Sequence, residues 1–185
     1  MSEFHLRIRG MINDLQNDQP LLTDVIEFVN EVRIRGNYVV HVEFLDEIFS
    51  GSFYLEIIIN KDFPQSIPVV KELGRRIRQK NYGGHIYSDR SLCLEVPTRI
   101  QIELERNPSL LYFSETFIQP YLFGFLYHQK YEQFPFGEYQ HGEIGLLEYY
   151  CTVFKVNEKS AAWKLLGMLF YTDYKGHRDC PCGSE

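Results

Sequence analysis

Cys93 lies near the end of the run Gly83-Gly84-His85-Ile86-Tyr87-Ser88-Asp89-Arg90-Ser91-Leu92-Cys93-Leu94, and a histidine stands eight positions before it. A thiol at the end of a polar, turn-forming loop can become a thiolate nucleophile. A neighbouring N–H donor can then stabilise the oxyanion formed as an acyl group passes through the sulfur. The spacing points to acyl-thioester chemistry, with Cys93 as nucleophile and carrier and His85 as oxyanion donor or positioner. Against this stand two plainer readings: a buried structural cysteine, common for this residue type, and a histidine that only organises its loop by a hydrogen bond.

Other residues with chemistry to offer are placed less sharply. Glu95, two after the cysteine, and His141, in the glycine-flanked segment Gly137 to Gly142, could approach the same cleft, His141 as a base for an attacking amine. A cysteine hydrolase would cast His85 and Asp89 as base and orienting group. In the tail, His177, Cys180 and Cys182 offer at most three ligands where zinc normally takes four, so a flexible or truncated tail is expected and no metal is assigned. Cys151, in an apolar stretch, reads as a core residue. Gly74-Arg75-Arg76-Ile77-Arg78-Gln79-Lys80 is a dense basic cluster, read as a solvated connection or as a partner-docking patch.

The bulk properties narrow the classes. With 185 residues, 44% hydrophobic, the chain can bury one sizeable core, and disorder is excluded as a description of the whole. A net charge of -6 gives no global field for nucleic acid or an anionic membrane. The first residues lack a secretory pattern, and no apolar run approaches the roughly 20 residues of a membrane span. A cytoplasmic protein with reduced thiols is the expectation, since the four cysteines do not make a disulfide scaffold.

The elements that must position the cysteine loop follow from periodicity. Apolar residues recurring every three or four positions predict a helix from about Leu21 to Arg35. Tyr38 to Phe44 and Phe53 to Ile59 are rich in β-branched and aromatic residues and read as a hairpin turning at Ser50-Gly51-Ser52. Phe63-Pro64-Gln65-Ser66-Ile67-Pro68 cannot be helical and leads into a short strand, Val69 to Leu73. Leu110 to Ile118 and Tyr121 to Tyr127 read as buried helix, kinked or restarted at Pro120. Phe134 to Gly142 reads as a loop, Ile144 to Tyr150 follows it, and Ser160, a plausible N-cap, opens a last helix to Leu169.

Helix, strand meander, Phe-Pro-x-x-x-Pro segment, a loop ending in Cys-Leu and then helices: this order resembles the ubiquitin-conjugating enzyme fold. Phe63, Pro64 and Pro68 are similar to the family's Tyr/Phe-Pro-x-x-Pro-Pro element, and Cys93-Leu94 to its catalytic Cys-Leu pair. His85 falls where the eukaryotic enzymes have the asparagine of His-Pro-Asn, and an imidazole N–H can donate as a carboxamide does. Prokaryotic members, stand-alone enzymes of bacterial antiphage operons beside cGAS-like nucleotidyltransferases, resemble the His85 to Leu94 pattern better. The resemblance covers residues 21 to 130.

It implies an α+β, ubiquitin-conjugating-enzyme-like fold, an antiparallel meander flanked by an N-terminal helix and C-terminal helices. The domain would span residues 1–175, with a tail over 176–185. The implied partners are a protein ending in glycine, either a ubiquitin-like protein or a nucleotidyltransferase, and a lysine-bearing acceptor, with no cofactor, nucleic acid or membrane. The alternative is a catalytically inactive adaptor of the same fold.

Overall fold

The computed structural model describes residues 3–78, 85–136 and 143–170. The chain divides into two compact units, one running to Pro135 and one beginning at Phe136. The first is a mixed α+β unit.

It opens with α1, Glu3–Asp18, whose Ile8, Ile12 and Leu15 recur at helical spacing and are buried on one stripe. Four antiparallel strands follow in sequence order: β1 (Asp24–Glu27), β2 (Glu31–Phe44), β3 (Glu47–Asn60) and β4 (Val69–Glu72). Along β2 the buried residues are Val32, Ile34, Tyr38 and Val40, the period of two of a strand with one wet face. From β3, Phe49, Phe53, Leu55, Ile57 and Ile59 join the same core.

The helix expected over Leu21 to Arg35 is not formed; that stretch is β1, a turn and the first part of β2. Its Val and Ile spacing satisfies both a 3.6 and a 2.0 period. Pairing decides between them, because Glu31 to Arg35 lie opposite Asn60 to Glu56 in a ladder that continues to Phe44 and Glu47. The hairpin turn also moves. Leu45 and Asp46 make it, both at positive φ, as the favoured two-residue hairpin turn requires. Gly51 instead sits inside β3, where a Cβ would come within 2.9 Å of the Arg76 guanidinium and 3.1 Å of Leu126. The glycine marks a close approach rather than a bend.

Phe63 to Pro68 is non-helical as expected, with a cis Phe63–Pro64 bond, and feeds β4. Beyond the cysteine loop come α2 (Pro97–Arg106), α3 (Leu110–Phe113), a π-helical turn over Ser114–Ile118 and α4 (Gln119–Tyr131). The π turn is closed by the Gln119 N–H on the Ser114 carbonyl, just before Pro120 restarts an α-helix. Tyr121 to Leu126 are all buried, in line with the apolar-all-round sequence, and α4 packs on β2 and β3 while α1 lies beside α3.

The second unit pairs α5 (Glu143–Phe154) with α6 (Lys159–Phe170) around Tyr149, Ala162 and Leu166, with a Lys159–Glu148 ion pair at 2.9 Å. Two expectations change here. Ser160 lies inside α6 rather than capping it, and Glu158 supplies the carbonyl that receives the Ala161 and Ala162 N–H groups. Cys151 is half-buried on α5 rather than in a core. No helix among the described residues is long and apolar enough to cross a membrane.

Candidate active site around Cys93

Residues 85 to 93 fold back as a short hairpin against the outer edge of β4. The Cys93 N–H donates to the His85 carbonyl at 2.8 Å and the Tyr87 N–H to the Ser91 carbonyl at 2.8 Å, flanking an Ile86–Leu92 pair. The loop is a three-residue turn: the Arg90 N–H closes on the Tyr87 carbonyl at 3.0 Å, and Arg90 takes the left-handed conformation at φ 70°. Asp89 organises it from within. Its carboxylate accepts from the Ser91 hydroxyl at 2.6 Å and the Ser91 N–H at 3.1 Å, and pairs with Lys71 at 3.0 Å. These contacts hold the Asp89 carboxyl down to about 2.

The hairpin is sewn onto β4 through Leu92 N–H to Val70 carbonyl (2.8 Å) and Glu72 N–H to Arg90 carbonyl (3.1 Å). Ile86 and Leu92, 3% and 7% exposed, are its core-facing pair. Residues opposite each other in an antiparallel ladder share a face, and so do residues two apart along one strand. His85 and Cys93 therefore sit across from one another on the side away from the core, with Tyr87 next to His85 on that same side. The sequence-derived pair is brought together by the backbone.

The side chains add a residue that the spacing argument did not single out. The Tyr87 hydroxyl donates to Cys93 Sγ at 3.5 Å, although Tyr87 itself is 54% exposed. That bond, the negative charge on the sulfur and partial burial, in that order, push the Tyr87 hydroxyl up to about 12, so it keeps its proton as a donor. Cys93 is a free cysteine and half-buried. An O–H aimed at this sulfur is a donor for negative charge developing on it or on an adjoining acyl oxygen. The signal was Tyr87 standing two positions from His85, which is the strand period.

His85 is held through its backbone carbonyl and its ring. Its carbonyl accepts both the Cys93 N–H and the Tyr121 hydroxyl (2.6 Å), while its ring packs near Phe134 and Tyr121, with centroids at 5.1 and 6.5 Å. Since the Cys93 N–H is committed to His85, it is not an oxyanion donor in this arrangement.

Of the other candidates, Glu95 serves the start of α2: it accepts the Val96 N–H at 2.9 Å and pairs with Arg99. A carboxylate there suits the positive end of the helix dipole. Asp89 is engaged by Ser91 and Lys71. His141 and the tail residues His177, Cys180 and Cys182 lie outside the described residues. Among the described residues no group of three or more His, Cys, Asp or Glu is arranged to hold a metal. In the basic segment, Arg76 lies over the Phe53 ring at 4.5 Å and donates to the Ser52 carbonyl at 3.0 Å, while Arg75 and Arg78 are exposed.

No family model, curated protein or solved structure matches this chain.

Proposed function

We propose that this chain is a cysteine-dependent conjugating enzyme with a ubiquitin-conjugating-like fold, carrying the C-terminal glycyl group of a protein as a thioester on Cys93 and passing it to a lysine amine. The observation that carries the reading is the half-buried Cys93 at the end of a hairpin, with a tyrosine O–H at 3.5 Å from its Sγ and His85 opposite it in the ladder. The order of N-terminal helix, four-stranded antiparallel meander, Phe-Pro segment, cysteine loop and helices supports it as well.

In the first step the Cys93 thiolate attacks the carbonyl carbon of an activated glycyl group. The S–C bond forms and the activating group leaves with its electron pair. In the second, a neutral lysine amine attacks the same carbon; the C–N bond forms, the S–C bond breaks and the thiolate returns. The amine's extra proton goes to water or a base. Each step passes through an oxyanion, for which the Tyr87 O–H and the His85 imidazole are the nearby candidate donors. The glycyl donor is a ubiquitin-like protein or a nucleotidyltransferase of an antiphage operon.

Co-expression with a glycine-terminated candidate and non-reducing electrophoresis tests this. A thiol-labile adduct should form, become a thiol-resistant ester with Cys93→Ser and vanish with Cys93→Ala. An adduct unchanged in both variants sinks the thioester assignment, and binding without any adduct favours an adaptor.

A further inference from the structure

We infer that Arg90 and Glu72 are positioning residues that hold the Cys93 hairpin in register. The inference takes its functional meaning from the conjugating reading above, but its test does not depend on it. Arg90 occupies the left-handed position that ends the three-residue turn, a place where glycine is the usual residue because a Cβ is disfavoured there. A non-glycine residue remains in such a conformation when its surroundings over-determine it. Here they do. Arg90 Nε donates to the Glu72 carbonyl at 2.6 Å, and Nη2 donates to the Glu72 carboxylate and, at 3.4 Å, to the Ile77 carbonyl.

The other half of the clamp is unusual in its burial. Glu72 has 0% of its surface exposed, on the core-facing register of β4 after Val70. A carboxylate closed off from water needs charged and N–H partners to be tolerated. It has the guanidinium of Arg90 and the Arg76 N–H at 3.2 Å, so it joins β4, the basic segment and the cysteine hairpin at one point.

The consequence for Cys93 is geometric. Side chains alternate along the hairpin, so a slip of one residue would turn Cys93 to the side where Leu92 is now buried and carry the sulfur away from Tyr87. The backbone bonds to β4 alone do not forbid that slip, because every residue offers the same groups. A fork fixed on one buried carboxylate opposes it, because a slip would carry Arg90 off Glu72. Arg90 touches neither Sγ nor a reacting atom; it acts through the ladder.

The test uses Arg90→Lys, which keeps a positive charge beside the buried carboxylate but loses the planar fork, and so avoids stranding Glu72. Amide hydrogen exchange should accelerate roughly tenfold or more at Leu92 and Cys93, the loss expected for charge-assisted bonds, with Val40 and Leu55 unchanged. Iodoacetamide alkylation, followed at the Cys93 peptide by mass spectrometry, supplies a readout that a purely stabilising role would not move. Tyr87→Phe should alter that rate about threefold or more in the otherwise unchanged protein, and lose this effect in the Arg90→Lys background.

The inference is overturned if exchange at Leu92 and Cys93 is unaltered, if all four amides accelerate together, or if the Tyr87→Phe effect is the same in both backgrounds. Neither readout needs a glycine-terminated partner. Failure to form an adduct would therefore count against the conjugating reading and leave the clamp standing, and the reverse outcome would count against the clamp alone.

Discussion

Tyr38 and Ser114, both fully buried, share a 2.8 Å hydrogen bond between β2 and the π-helical turn, and removing one partner should expose how strongly the core depends on it. Tyr38→Phe deletes the hydroxyl and takes this partner from the buried Ser114 hydroxyl. The net value of such a bond predicts a loss of about 1 to 2 kcal/mol near neutral pH. Alkali should reverse that order. Burial, partly offset by the Ser114 bond, pushes the Tyr38 hydroxyl up to about 12.

Because the folded value is raised, the contribution is fully present below the unfolded value near 10 and is lost as pH climbs through 12. At about pH 11 the unfolded phenol gains about 1.4 kcal/mol by ionising while the folded one stays neutral, and the full window is worth about 2.7 kcal/mol. The parent and Tyr38→Phe proteins should therefore have equal stability near pH 11, with the variant the more stable above it. Urea unfolding of the two, measured side by side from neutral to alkaline pH, cancels the titration of every other tyrosine. A stability difference that stays constant across the series would refute the buried, neutral phenol.

Two more outcomes follow from named contacts. Gly36→Ala would place a Cβ 2.0 Å from the Leu21 carbonyl oxygen and 2.6 Å from the Leu22 Cα, and the same carbonyl accepts the Asn37 N–H at 3.0 Å. Both obstacles are backbone and cannot swing aside, so a loss of about 2 to 4 kcal/mol in urea is expected, and a variant within about 0.5 kcal/mol of the parent would contradict the packing. Asp89 has its carboxyl lowered first by the Ser91 hydroxyl and then by Lys71, so its contribution is present above the ordinary carboxylate value of 3.8 and fades as pH falls through about 2. Ser91 and Leu92 amide protection should weaken over that acid range in the parent and stay flat in Asp89→Asn; identical profiles would dismiss the tether.

Where the chain's local signals agreed, they were sufficient. Pro64 and Pro68 forbid helix whatever surrounds them, and the apolar run from Tyr121 to Leu126 is buried on every side as its composition requires. Helix α1 was not among the expected elements, although Ile8, Ile12 and Leu15 stand at helical spacing. The Leu21 to Arg35 stretch misled because Val and Ile at mixed spacing fit two periods. Ser50-Gly51-Ser52 misled because glycine signals a turn and a tight packing site alike, and only the approach of Arg76 and Leu126 separates them.

At the candidate site the division has the same cause. Residue types and a count of eight put Cys93 and His85 forward together, but the segment read as a loop, and the hairpin that sets the two opposite each other is decided by backbone pairing within it and against β4. That the Tyr87 hydroxyl points at the sulfur, that His85 contributes its carbonyl to the Cys93 N–H, and that a strand carboxylate at position 72 is sealed in the core to grip Arg90 were settled only by folding. Local sequence sets which conformations a segment can adopt. Burial and side-chain direction are properties of what packs against it, and those partners lie from 6 to 36 residues away along the chain in this site.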